Sequence, residues 1–344
     1  MKKIKTLFAV ALTGALAVAL VGCGGGAASS SSSASSSASA QAQAGSEKLR
    51  FVTGGESGTY YAYGNVLGQY ATNGDYALDI TTLSGNGSKA NVQALEDGDA
   101  DIAFCQSDVL AYAYDGTNIF EGAPYSDFSV VADLYQEQVQ IVTCDPAIKT
   151  VEDLRGKTVS VGAANSGVYF NAVDILGVYG ITLTEEGSTD FSPVYQSFAD
   201  SADSLKDGKI DAAFIVAGAP TTAITDLSTT KETYLVSLDQ QHIDQLIESN
   251  PYYSEAVIPA DTYGTEGPVT TVSVGAVIIV NNSVPEEVVY NLTKSLFDGK
   301  DNNSDAHAKY DELVIEDAAA ITSVPYHPGA AKFYEEKDIT VDSE

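Results

Sequence analysis

An α/β fold in two lobes of similar build, facing each other across a cleft, is what this sequence predicts, and three observations predict it. Residues 205–214 read LKDGKIDAAF and residues 95–104 read LEDGDADIAF, sharing six of ten letters. Upstream, SGTYYAYGNVLGQY from Ser57 and SGVYFNAVDILGVY from Ser166 echo each other, and the two pairs lie 109 and 110 residues apart. That spacing far exceeds the roughly 20–50 residue periods of stacked repeats, so it marks two domains and not a solenoid. Third, each half runs strand, helix, helix, strand, an order that makes parallel βαβ units and an open sheet.

The elements follow in order. In the first half, residues 49–53 are a short apolar strand, 54–59 a loop, and 60–70 a helix on which Val66, Leu67 and Tyr70 share a face. In the second, 158–161 are the strand, 162–167 the loop, and 168–179 the helix, stopped by Gly180 in the left-handed position. A further helix in each half, 88–97 or 199–207, ends at Gly98 or Gly208. The repeated phrase then supplies buried strands, each expected to run into a loop, Gln106-Ser107-Asp108 or Gly218-Ala219-Pro220. Residues 139–143 and 272–280 are two further apolar strands, and Pro285 sits in the first turn of a later helix. Crossings near residues 135–139 and 270–275 make two hinges. Lobe 1 is then 47–136 with the return segment 274–344, and lobe 2 is 137–273. Each jaw of such a clamp needs its own strand and ligand-facing loop, which is why the phrase occurs twice.

The N-terminus reads as a secretory signal over residues 1–22: Lys2, Lys3 and Lys5 precede an apolar run and small residues before Cys23. Residues 23–46 follow as a Ser-rich tether with no apolar side chain larger than Ala to bury. Setting that lipidation-type cysteine aside, Cys105 and Cys144 remain, and the repeat register puts them in different lobes, as free thiols rather than a disulfide.

The formal net charge of −30 becomes −33 without the three signal lysines, with 14 basic residues against 47 acidic ones. Nucleic acid and anionic lipid surfaces are disfavoured as partners, leaving a lipid anchor as the membrane contact. The two arginines, Arg50 and Arg155, each stand at a strand start, so no guanidinium clamp on an anion is expected.

Open α/β sheets bind ligands at the carboxyl ends of their strands, where loops enter helix N-termini. Both Ser-Gly-x-Tyr elements sit there, and their free N–H groups and positive helix ends suit an anion. Ser57 and Ser166 either cap helices or touch ligand; Tyr60, Tyr61, Tyr169 and Phe170 either line a pocket or pack. Enzyme motifs fail. GESGT lacks the final glycine of a nucleophile elbow, GNGSKA lacks the phosphate-loop spacing, and His242, His307 and His327 have no metal spacing. A calcium-like run from Asp301 to Glu312 has Ala306 where glycine is required, so it reads as a solvated acidic helix start. No catalytic residue, metal or cofactor is expected, and the chain reads as a monomer.

GGESGTYY, LEDGDADIAFCQSD, VEDLRGKTVSVG, LKDGKIDAAFIVAGAP, VPEEVVYNLTKSLF and VPYHPGAAKFYEE, in that order over residues 48–337, resemble the TAXI family of extracytoplasmic solute receptors for TRAP transporters. Leu20-Val21-Gly22-Cys23 likewise resembles a bacterial lipobox, which implies a diacylglycerol on Cys23 and anchoring to the outer face of the cell membrane. The family resemblance implies a type II periplasmic-binding-protein fold, a Venus flytrap with two hinge crossings, and no enzyme activity. It implies delivery of a small organic acid or amino acid, glutamate-like or 2-oxoglutarate-like, to a TRAP permease; a receptor for an ABC importer or a ligand sensor is the alternative. Carried over by position, it implies ligand contacts from Gly58, Thr59, Tyr60, Tyr61, Ser88, Gln106, Ser107, Asn165, Ser166, Gly167 and Gly218. Asn91 matches too, with helix packing as its other explanation. AANSG departs from the family, with Asn165 where a glycine-rich loop is commoner, which leaves the identity of the ligand open.

Overall fold

Residues 46–343 are described by a computed structural model; the signal segment, Cys23 and the tether lie outside the described residues. Lobe 1 opens with β1 (Glu47–Val52), α1 (Thr59–Asn73), β2 (Leu78–Leu83), α2 (Ser88–Glu96), β3 (Ile102–Gln106) and α3 (Ser107–Asp115), after which β4 (Phe128–Thr143) carries the chain out. Lobe 2 holds β5 (Thr158–Ser160), α4 (Gly167–Val178), β6 (Ser192–Val194), α5 (Phe198–Lys206), β7 (Ala212–Ala217), α6 (Thr222–Ser228), β8 (Tyr234–Val236), α7 (Gln240–Ser249), β9 (Ser254–Ile258) and α8 (Ala260–Tyr263). Then β10 (Val269–Asn281) returns, and α9 (Glu286–Asn303), α10 (Ile315–Ala318) and α11 (Pro328–Glu335) finish on lobe 1.

The strand order β2-β1-β3-β10-β4-β7-β5-β6 shows the duplication directly. In lobe 1 the parallel trio 2-1-3 is flanked by β10, and in lobe 2 the trio 6-5-7 is flanked by β4. Each trio takes its fourth, antiparallel strand from a crossing segment. β4 and β10 pair with each other from Asn281↔Phe128 to Ser273↔Gln138, spanning both lobes, with a register shift between Ala276 and Val277 where the chain passes from one to the other. Central strands β3 and β7 are buried along their whole length, which is why they read as continuous apolar runs instead of alternating ones. Period two still sorts their side chains: Ala212, Phe214 and Val216 enter one cluster of lobe 2, and Ala213, Ile215 and Ala217 the cluster on its opposite face.

The repeated phrase turns out to be scaffold. Gly98 and Gly208, with φ of 71° and 67°, take the left-handed conformation that ends each helix. The aspartate three residues on then seals the neighbouring strand. Asp101 Oδ2 accepts from the Arg50 backbone N–H at 2.7 Å, and Asp211 Oδ2 accepts from that of Thr158 at 2.7 Å. Both aspartates stand just before β3 and β7, at the opposite end from those strands' carboxyl ends.

Three expectations need correction. No loop separates β3 from α3, because Gln106 in extended conformation is itself the N-cap. Pro285 precedes α9 as its N-cap and is not in its first turn. Asp301 and Asn303 fall in the last turn of α9, so this acidic run ends one helix instead of starting another. Cys105 and Cys144 are free, on separate lobes as the register required.

Candidate functional site

Between the lobes lies a cavity of about 100 Å³. At roughly 10–15 Å³ for each enclosed water, that is room for a solute of several non-hydrogen atoms. Four helices present their N-termini to it: α1 through Gly58, Thr59 and Tyr60; α2 through Gly87 and Ser88; α4 through Ser166, Gly167 and Val168; α5 through Ser197 and Phe198. The first turns of α1, α2 and α4 contain no acidic residue, in a protein with 47 of them, and no side chain caps their N-terminal N–H groups. Apart from the Ala90 N–H of α2, which goes to the Asn165 carbonyl, those donors and positive helix ends remain for a ligand. At the fourth helix, α5, the cap is filled by Ser197, which accepts from Asp200 N–H.

The lobes meet across this cavity. The Thr59 hydroxyl donates to the Gly218 carbonyl at 2.8 Å, Ala90 N–H to the Asn165 carbonyl at 3.0 Å, and Ala223 N–H to the Ser57 carbonyl at 3.2 Å. Gly87, held at φ 102°, lies against Ser166, where any side chain would press on lobe 2. Buried Lys309, from the C-terminal segment of lobe 1, donates to the Ala219 carbonyl at 3.0 Å and pairs with Glu312.

Of the residues anticipated from sequence, Gly58, Thr59, Tyr60, Ser88, Gln106, Ser166 and Gly167 line the cavity. Several of their side chains are already engaged. Ser88 Oγ accepts from Gln106 N–H at 3.1 Å, and Ser166 Oγ donates to the Ala163 carbonyl at 2.7 Å. Tyr60 stacks on Phe104 with centroids 4.4 Å apart, so it both packs and faces the cavity. The other four are not in the wall. Gly218 is turned away against Lys309 and Tyr135, Val216 and Ala217 forming the wall in its place. Asn165 is exposed, at φ 63°. Ser107 accepts from Gly275 N–H of β10 at 2.9 Å, and half-buried Tyr61 leaves the wall because the next helical position points elsewhere. Asn91 is a structural tie, donating to the Thr53 and Phe104 carbonyls at 2.8 Å each. Arg50 and Arg155 are occupied by Asp101 and Asp190 on the outer surface.

The residue missed from sequence is Glu137. It is 2% exposed, sits on β4 where the chain crosses between lobes, and lines the cavity. Burial, opposed by the neighbouring Tyr60, pushes its pKa up to about 8, so the acid is mostly protonated at neutral pH. A signal was present: period two through Tyr135-Gln-Glu-Gln-Val139 puts Glu137 on the buried face with Tyr135 and Val139. The Tyr60 hydroxyl, Gln106 Oε1 and Glu137 Oε2 are all buried without a hydrogen-bond partner of ordinary geometry. Among the described residues lining the cavity, none is Lys, Arg or His.

Fold and cavity define a class, the two-lobed α/β clamp with two hinge strands and an inter-lobe site. Residues 51–337 match the NMT1-like family, and the chain belongs to that family. Among solved structures, it is similar to the alkanesulfonate-binding protein from Xanthomonas axonopodis pv. citri, at 14% identity over 84% of this chain and 90% of that one, TM-score 0.48. It is also similar to a putative L-cystine ABC transporter protein from Listeria monocytogenes, at 14% identity over 81% and 99%, TM-score 0.48. A third is the periplasmic aliphatic sulphonate binding protein from Escherichia coli, at 15% identity over 86% and 95%, TM-score 0.43. Likenesses this distant do not bear on the ligand.

Proposed function

We propose that this protein is an extracytoplasmic solute receptor, not an enzyme, which closes its lobes on a small organic acid or amino acid and hands it to a membrane permease. One observation carries this: an enclosed inter-lobe cavity receives four helix N-termini and three unpartnered polar atoms. A carboxylate on the N–H groups of α1, α2 and α4 needs no arginine, since each bond to a charged group contributes roughly 1.5–3 kcal/mol. Protonated Glu137 adds an O–H donor without repelling an anion. Among the described residues lining the cavity, no nucleophile has an adjacent base, which favours capture over catalysis. The resemblance to TAXI receptors supports a TRAP permease, and the lipobox-like Leu20-Val21-Gly22-Cys23 supports Cys23 as the lipid anchor; a receptor for an ABC importer has the same clamp. A thermal-shift panel of organic acids and amino acids tests capture, because stability rises as RT ln(1 + [L]/Kd). A panel with no shift at millimolar solute overturns the proposal. A neighbouring gene for an ATPase instead of a large multi-span permease overturns the TRAP assignment alone.

A further inference from the structure

A chain of hydrogen bonds that starts outside the cavity fixes one of its walls. Asp174 Oδ2 accepts from the Tyr253 hydroxyl at 3.1 Å and from Asn250 Nδ2 at 3.3 Å. Having given its proton to Asp174, the Tyr253 oxygen only accepts, and Asn171 Nδ2 donates to it at 2.8 Å. The other Nδ2 hydrogen goes to Asp108 Oδ2 at 3.0 Å. Asn171 Oδ1 is therefore left as an acceptor, and Gln106 Nε2 donates to it at 3.1 Å. Gln106 Oε1 is what remains: buried, unpartnered, and turned toward Gly167 at the mouth of α4. With Asp108 ionised, the reversed arrangement would set Asn171 Oδ1 against the Asp108 carboxylate and a tyrosine oxygen, acceptor facing acceptor. Two residues of lobe 1 and three of lobe 2 thus share one direction of donation.

We propose that Asp108 and Asp174, neither of which lines the cavity, are positioning residues that hold Gln106 as an acceptor across the closed lobes. The cavity then selects an anion bearing an N–H donor, an ammonium or amide nitrogen, over the same anion bearing a carbonyl oxygen there, a selection that rests on the solute-binding reading above. Discrimination arises because the wrong ligand leaves Gln106 Oε1 unpaired and faces it with a second acceptor.

Titration calorimetry on the full-length protein with matched probes, L-glutamate against 2-oxoglutarate and L-alanine against pyruvate, tests it. In whichever pair binds, the amino member is expected to bind at least about tenfold tighter. In Asn171→Leu, which keeps the volume but frees the Gln106 amide to turn, the ratio falls toward one, and in Asp108→Asn it falls part of the way. A wild-type ratio under tenfold, or an undiminished ratio in a folded Asn171→Leu protein, overturns the relay. Should that variant not fold, Asp174→Asn makes the same comparison from the far end of the chain. Binding without discrimination refutes the relay alone, whereas no binding of any solute in the wider panel refutes the receptor reading with it.

Discussion

Adding one methyl group at Gly167 should weaken ligand capture while leaving the fold intact. Gly167 opens α4 on lobe 2 and faces lobe 1, where a Cβ would stand 1.6 Å from Gln106 Oε1 and 3.1 Å from Ser88 Oγ. Its backbone is not in the left-handed region, and alanine is the better helix former by up to about 1 kcal/mol, so lobe 2 itself tolerates Gly167→Ala. The cost falls on closure. Gln106 must swing aside, breaking its 3.1 Å bond and orphaning buried Asn171 Oδ1, a loss of about 1–3 kcal/mol. At 1.4 kcal/mol per tenfold, affinity drops by about five- to a hundred-and-fifty-fold. Gly177→Ala is the control: on the same helix but outside the cavity wall, its Cβ would meet nothing within 4 Å, so affinity stays within about threefold. Titration calorimetry with the solute returned by the panel gives the ratio, and melting of the unliganded protein checks the fold. Wild-type affinity in folded Gly167→Ala would refute the closed geometry, as would an equal loss in Gly177→Ala.

Further outcomes are expected. Glu137 and Asp108 have folded-state pKa values raised by burial to about 8 and about 7, so the folded protein binds more protons than the unfolded one between the ordinary carboxylate range and those values. Stability therefore falls as pH rises from about 5 to about 8, and Glu137→Gln should melt higher than wild type at pH 9 and close to it at pH 5; equal melting at pH 9 would remove that account. Arg155→Ala should change affinity by less than about threefold, because Arg155 is held by Asp190 on the outer surface, and abolished binding in a folded variant would sink the helix-end site. Cys23→Ala should release the protein from membranes with unchanged affinity, checked by fractionation; retention would remove the anchor. Scattering should give a smaller radius of gyration with saturating ligand, since rotation at β4 and β10 closes the lobes, and an unchanged radius would count against hinge closure.

The Ser-Gly-x-Tyr loops were legible because their chemistry is local: a polar loop entering a helix N-terminus at a strand end says where donors point whatever surrounds it. For the same reason Gly58, Thr59, Tyr60, Ser166 and Gly167 were found, and they do line the cavity. Gly218, carried over by position from the family resemblance, is not in the cavity wall. The shared letters end at Phe104 and Phe214, and beyond them β3 enters a helix at once while β7 meets Pro220. Strands β2, β6, β8 and β9 escaped notice because they are short or partly exposed edge pieces, whose apolar signal is weak.

By itself, the sequence determined the duplicated α/β architecture, the two lobes and the helix ends that face the cavity, because hydrophobic period, glycine stops and repeat spacing are properties of residues near one another in the chain. Only the tertiary structure decided that Glu137 is neutral, that Gln106 offers its oxygen, and that Asn171, Asp174 and Tyr253 are what turn it. Those properties come from burial and from hydrogen-bond partners 63 to 82 residues away in the chain. A side chain's protonation and direction of donation are set by whatever closes around it, and no local pattern records that.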